Sequence, residues 1–563
     1  MDLRALAMNR RAFLLTGLGA SGAVLLGACS SDEDGSGSGG GDGPAARPTL
    51  RLGAISGDFG FPSPFTSQAL PGYLRMNLIY DSLLWADSTG ELLPWLASSY
   101  EASADGLTYT FELRENVTWH DGKPFTADDV KFTFDYYAPL ELPFTTVGQP
   151  QNVAEVTVDG PSTVQIQLER AAVTFPVIVA GAVPIVPRHI WESIEDPLVV
   201  EDPELLVGTG AYILDSYSAA EGTYSYNAND DYFLGKPFVE RIEFPPVGDE
   251  LTALQAGEID GGQTPNNGVR DDVLAPFMAD DSFGIIEDKA GFAYPLYFNA
   301  ANGGPLADVR VRQAFAYAID RNDIVERLLG GNGAPGSPGF VPPSHPFFSD
   351  PEQYDYDLDK ANSLLDEAGF TREGDGIRQG PDGPLSIGIL FQAEASSLID
   401  LLVPALADVG VELVPESAEG PGGLFPRKFM GAYDTILLFY PGPVGPGPKG
   451  DADYLRLIYA GGPMPTFFTP DGFDSSELMP LAEAQLVALD EGERGDLLGQ
   501  MQDIIAEQLV VLPLYYADQY FIFQKNVFDA WYYTPTDFPS AASYNKQAFI
   551  TGQKTGTEIL PTE

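Results

Sequence analysis

Cysteine is nearly absent from this chain of 563 residues, which has a single one at position 29. An internal disulfide, a Cys-based zinc site and a CxxC redox motif are therefore excluded. Histidine is almost as scarce: His120, His189 and His345 lie far apart and share no ligand spacing. That leaves no basis for a His-built metal or general-base centre. Basic residues are few too, 30 Lys and Arg against 81 Asp and Glu, for a formal net charge of −51. A surface of that sign repels phosphate backbones and argues against nucleic acid as a partner. Only ten of the basic residues are lysines, and so strong a carboxylate field points to a salt-rich habitat. The motifs GxSxG, GxxxxGK[ST] and HExxH do not occur. GxGxxG does, at Gly331 to Gly336 and Gly445 to Gly450, but Pro335, Pro446 and Pro448 stand where a phosphate-binding helix would start. No cofactor is expected.

What is present is an apolar, aromatic-rich globular composition, 44% hydrophobic and 12% aromatic, long enough for about three or four domains. At the N-terminus Arg10-Arg11 precede an uncharged run from Ala12 to Ala28, which reads as an export signal. Asn9 to Leu14 resembles the twin-arginine signal, and Leu26-Gly27-Ala28-Cys29 resembles a lipobox, in which the Cys is lipidated and becomes the first mature residue. Residues 30–48 hold no large apolar side chain and read as a flexible tether. The mature domain thus lies outside the cytoplasm, anchored through Cys29.

Beyond the tether, strand and helix signals are mixed, which indicates an α/β protein. Residues 107–113 and 163–168 alternate apolar and polar side chains as half-buried strands do. Thr126 with Asp129 predicts a helix start, and Asp357 to Gly369 reads as a helix closed by glycine. Val309 to Leu329 and Glu491 to Leu509 read as longer amphipathic helices. Ala171 to Pro187 is apolar, but Pro176, Pro184 and Pro187 break it up, predicting a short helix followed by a buried strand.

Several segments together resemble one family. They are Leu83-Leu84-Trp85, Leu93-Pro94-Trp95-Leu96-Ala97, Leu107 to Arg114 and Trp119-His120-Asp121-Gly122-Lys123-Pro124-Phe125, followed by Val207-Gly208-Thr209-Gly210-Ala211-Tyr212. Leu254 to Asp260, Phe298-Asn299, Val309 to Arg321 and Val511 to Tyr515 continue the match. The pattern is similar to the family 5 extracellular solute-binding proteins, the oligopeptide, dipeptide and nickel receptors of ABC importers. The resemblance implies a bilobed α/β fold of the periplasmic-binding-protein type II, cluster C, with three structural domains and a ligand cleft between the lobes. On that pattern domain I comprises residues 50–82, 206–293 and 512–563, domain II residues 83–205, and domain III residues 294–511. The motifs themselves read as scaffold: the 119–125 segment is a turn with Asp121-Gly122 at its tip.

The resemblance also implies partners: a small-molecule ligand, peptide or oligosaccharide, and the permease and ATPase of an ABC importer, served by a monomeric receptor without catalysis of its own. A secreted glycosidase-like enzyme is the alternative from another class, and a chemosensory receptor a weaker one. The family's ligand loops place Phe59, Phe61, Tyr294, Phe439, Tyr440 and Asp451 at the cleft. Where peptide receptors carry a Trp and an Asp that pairs with the peptide amino group, this chain has Tyr440 and Pro443. With that carboxylate missing and apolar residues at 436–439, neutral oligomers, oligosaccharides above all, stacked on aromatic faces are expected to bind better than zwitterionic dipeptides, and Asp451 and Asp453 are the candidate replacement anchors.

Overall fold

The computed structural model of the chain describes residues 48–53, 57–86, 92–140, 152–419, 423–439, 451–459, 468–532 and 546–552. Cys29, Tyr440 and Pro443 lie outside them. A four-stranded sheet orders Thr49–Arg51, Arg241–Phe244, Thr223–Ala228 and Tyr212–Ser218. A second orders Ala97–Ala102, Thr108–Leu113, Thr163–Leu168 and Val153–Asp159, all antiparallel. The two strands expected from period-two alternation are its central pair, and they bury Tyr109, Phe111, Val164 and Ile166 on one side.

The third sheet is the largest and is built on two long strands, Phe283–Phe298 and Val511–Gln524, paired antiparallel. Gly261–Gln263 extends it on one side; on the other, Thr435–Leu437, Ser386–Phe391 and Glu412–Ser417 follow in order.

The helix starting after Thr126 forms as expected, with Asp129 accepting the Thr126 N–H at 2.9 Å. Asp357 caps Leu358–Glu367, and Gly369 follows at φ +90°. Two expectations need correction. The segment from Val309 to Leu329 is not one helix: Val309–Ala318 ends where Ile319 turns extended, and Asp320 caps a new start at Arg321 by accepting the Asp323 N–H. A capping carboxylate inside an apolar periodicity wins locally because it satisfies a helix-start donor. The segment after Ala171 forms a five-residue π-turn, Pro176–Ala180, but no strand follows. Residues 182–187 are buried yet join no sheet ladder; Pro184 and Pro187 have no N–H to give, and the Ile185 and Val186 amides bond to the Asp81 carbonyl and Thr133 Oγ1.

The shared motifs meet in one place. His120 Nε2–H donates to the Gly210 carbonyl at 2.9 Å and its Nδ1 accepts from the Gly208 N–H, so the 119–125 turn is clipped to the 207–212 segment. Gly208 and Gly210 lie so close to Ile79 that a Cβ on either would fall within 2.4 Å of its carbonyl oxygen. Beside them Asp81, fully buried, accepts from Trp95 Nε1, Thr209 Oγ1, Tyr232 Oη and Lys546 Nζ at 2.8–3.3 Å. Lys546, itself 1% exposed, also donates to the Tyr80 carbonyl and lies 4.6 Å from the Trp85 ring. The motif residues hold the scaffold together.

Candidate functional site

Along one face of the long two-stranded ladder the packing partner changes. Ile286, Phe521 and Phe523 belong to a core shared with the first four-stranded sheet. Farther along, Tyr294, Leu296, Tyr515 and Ala517 belong to a second core built with the helices Val309–Ala318 and Ser396–Ala407. Period-two geometry keeps residues 515, 517, 519, 521 and 523 on the same face, so Gln519 stands where one core gives way to the other. Its partner across the ladder is Asp288. Both are buried, at 0% and 3% exposure.

The ladder is irregular at this point. Its register shifts between Asp288 and Phe292, and Ala290 takes a left-handed φ of +58°. Bulges of this kind re-aim side chains and often accompany binding sites. The bulge is pinned from the opposite face, where Asp518 accepts the Ala290 N–H at 2.9 Å and Lys289 Nζ at 3.0 Å; Lys289 also reaches Glu287. Those carboxylates raise the Lys289 pKa above its ordinary value against the opposing effect of burial. Gly291 closes the arrangement. A Cβ there would lie 2.8 Å from Asp288 Oδ2 and 3.1 Å from Gln519 Cγ, so the two side chains flank one point. Gln519 Nε2 donates to the Pro265 and Asn266 carbonyls, while its Oε1 accepts no hydrogen bond among the described residues.

The residues expected at the cleft divide sharply. Phe439 is half-buried and packs against both cores, which places it at the same junction. Phe59 is half-buried, and its ring lies 4.9 Å from the Arg75 guanidinium, which Tyr224 and Phe244 also face at 4.5 and 4.8 Å. Burial lowers the Arg75 pKa. The loop carrying Phe59 is fixed by Asp58, which accepts from Tyr217 and Tyr224, and by Gly60 at φ +80°, where a Cβ would clash with the Thr66 carbonyl. Burial pushes the Tyr224 hydroxyl up to about 12, so it stays a donor. Phe61 is a core residue set edge-on to Tyr217, and Tyr294 is 4% exposed and stacked on Tyr515 at 5.1 Å and 8°.

Asp451 is held by Arg494 through two hydrogen bonds, 2.9 and 2.5 Å. Arg494 continues to Gln485, Gln485 to Asp453 and Asp453 to Arg456, a closed polar network beneath the helix Leu478–Val487. Desolvation raises the Asp453 pKa despite Arg456. Asp288 and Gln519 were missed by motif reasoning, although a signal exists: Asp518-Gln519 interrupts an otherwise apolar and aromatic stretch, and Asp288-Lys289 does so in the facing strand. A separate depression of about 460 Å³ opens at the far end of the ladder, lined by Leu254, Gly257, Pro276, Phe283 and Gln524 among others. None of the expected ligand residues borders it. Among the described residues no group of His, Cys, Asp or Glu is arranged to hold a metal ion, and no helix is long and apolar enough to cross a membrane.

Two cores thus meet along one continuous ladder. The family model of the bacterial extracellular solute-binding proteins, family 5, middle region, matches residues 91–448. This chain belongs to that family. The dipeptide-binding protein of Escherichia coli is 30% identical over 382 residues, 63% of this chain and 69% of that one. Among solved structures, NikA from Brucella suis in complex with Fe(III)-EDTA superposes with a TM-score of 0.72 at 23% identity, covering 85% of this chain and 95% of the other. The oligopeptide-binding protein AppA from Bacillus subtilis in complex with a nonapeptide gives 0.69 at 20% identity, covering 87% and 96%. The fold is thus the bilobed α/β fold of these proteins, and the family 5 chain is an extracytoplasmic substrate-binding protein of an ABC transporter, not an enzyme.

Proposed function

We propose that this family 5 protein captures a short peptide or a peptide-sized oligomer over the Asp288–Gln519 break and delivers it to the permease and ATPase of an ABC importer, tethered to the outer face of the membrane by lipid on Cys29. The observation that carries this reading is the change of core along one face of the ladder formed by Phe283–Phe298 and Val511–Gln524. Two packed bodies joined by two continuous strands can bend about them, and a solute touching both sides favours the closed arrangement through its differential contacts. In this scheme residues 50–82, 206–293 and 512–563 form domain I, 83–205 domain II and 294–511 domain III, with the hinge at the two long strands.

Peptide is preferred to neutral oligosaccharide because the aromatic faces that sugar stacking would use are engaged within the fold. Phe61 packs on Tyr217 and Tyr294 on Tyr515, which leaves Phe59 and Phe439 half-exposed. Native mass spectrometry of protein purified without refolding identifies the retained solute, and calorimetry with tri- and tetrapeptides against maltooligosaccharides ranks the two classes. Peptide binding with a fall in radius of gyration supports the reading. Binding of oligosaccharides alone would overturn it. Release of a Cys29→Ala variant from the membrane fraction tests the anchor independently.

A further inference from the structure

The bodies joined by the two long strands also touch at a second place. Trp85, Trp95, Tyr137 and Trp191 share one core with Tyr73, Tyr212 and Phe549, so residues 83–205 are packed firmly into the body that holds the first four-stranded sheet. Against the body of residues 294–511 the contact is of another kind. The core around Phe111, Ile166, Phe175 and Val179 and the core around Leu478, Ala482, Leu498 and Met501 have no side chain in common among the described residues. Polar contacts bridge them instead. The Val173 N–H donates to the Leu486 carbonyl at 2.9 Å, and Arg170 Nη1 lies 3.4 Å from Glu483 Oε1, with both side chains exposed. Leu486 is the penultimate residue of the helix Leu478–Val487, where a carbonyl has no donor from its own helix. Arg170 brings positive charge to that helix end, where the helix dipole favours it.

Both sides of this contact are braced. Asn152 accepts the Arg170 N–H at 3.1 Å and donates its Nδ2–H to the Arg170 carbonyl at 2.7 Å, which fixes the main chain where the strap 170–173 begins. Gln485, fully buried, ties the helix end to Asp453 and Arg494. We propose that the pairing of residues 170–173 with residues 483–486 is a latch, which forms when the two bodies close on a solute and opens without disturbing either core. An apolar interface resists opening in proportion to the area it would expose, whereas an exposed hydrogen bond or ion pair is exchanged for water at little cost. The latch also answers a problem of charge. In a chain of net charge −51, closing brings carboxylate-rich surfaces together, and one of only 30 basic residues stands where they meet.

The latch rests on the hinged reading of the two bodies, and the test separates the two. Val199 and Leu489, one exposed residue from each body, are replaced by Cys and spin-labelled in the full mature chain carrying Cys29→Ala, which leaves no other thiol. Electron paramagnetic distance distributions then report the gap. The chain with its latch intact is expected to show a dominant short distance and a minor long one. Arg170→Glu sets two carboxylates face to face while the Asn152 bonds, made to main chain, stay in place. It should raise the long-to-short ratio about fivefold at about 0.1 M KCl and far less at about 1 M, where the Debye length falls to about 3 Å. Adding Glu483→Arg should bring the ratio back to within about twofold of its starting value. Val173→Pro, which removes the N–H, should raise it about fivefold at either salt. Unchanged ratios in Arg170→Glu and Val173→Pro, with both distances still present, would overturn the latch and leave the hinge standing. A single distance in every chain, before and after the retained solute is stripped by mild denaturant and dialysis, would overturn the hinge and the latch with it.

Discussion

Two buried polar centres in this molecule look alike in sequence and differ in what surrounds them. Asp81 receives four donors, from Trp95, Thr209, Tyr232 and Lys546, and every one of them belongs to the scaffold. Asp288 faces Gln519, whose Oε1 receives nothing among the described residues. The first centre is complete among the described residues; in the second, the Gln519 Oε1 has no donor among them. A buried charge with a full set of partners fixes a fold, whereas a buried acceptor at the junction of two cores adds nothing to it unless something donates to it.

The largest effect is expected where the complete centre is broken. Lys546→Ala leaves the fully buried Asp81 carboxylate without its cation, and unfolding by urea should report a loss of about 3–5 kcal/mol. Ligand binding in the surviving folded fraction should be unchanged, since the contacts Lys546 makes are to Tyr80, Asp81 and Trp85 and not to the two long strands. The contrasting change is Gln519→Leu, which sacrifices two long hydrogen bonds of 3.2 and 3.4 Å but also removes a buried acceptor that has no donor among the described residues. Its stability should stay within about 1 kcal/mol of wild type, while peptide affinity falls about tenfold or more. Equal destabilisation by both substitutions would erase the distinction between the centres.

A smaller effect concerns His120, which clips the 119–125 turn to Gly208 and Gly210. Burial lowers its pKa below the ordinary 6.5, so the folded imidazole stays neutral where the unfolded one takes a proton. The unfolded state then binds more protons as pH falls below the ordinary value, and stability declines in that window. Chemical denaturation from pH 7.5 to 5 should show the decline in wild type and a shallower one in His120→Gln, after correction for the overall loss. The smallest expected effect is general: a chain of net charge −51 should gain melting temperature as KCl rises into the molar range, by screening of its own repulsion. A flat curve would remove the inference of a salt-rich habitat and leave the binding account intact.

Much of the scaffold was legible in the sequence because its signals are local. Alternation exposes the strand pair at 108–113 and 163–168, and Thr126 with Asp129 marks a helix start regardless of what lies beyond. The helix expected from Val309 to Leu329 failed for an equally local reason, the capping carboxylate of Asp320 inside an apolar periodicity. The candidate site was less legible because it depends on pairing between residues far apart in the chain. Asp288 and Gln519 are brought together only by the ladder register, and neither carries a motif. Aromatics were easier to nominate than to place: Phe61 and Tyr294 were expected at the cleft and pack in the core, Phe439 stands at the junction, and Tyr440 lies outside the described residues. Asp451, nominated from its neighbourhood to a loop, is tied to Arg494 by a contact that no spacing rule foretells.

The most direct test is a crystal structure of the mature protein with the solute it retains on purification. The account predicts solute density between the two cores, over the break in the ladder at residues 288–291 and 519 and against Phe439. Density in the depression beside Gly257, Pro276 and Phe283, with the Asp288–Gln519 break empty, would contradict it.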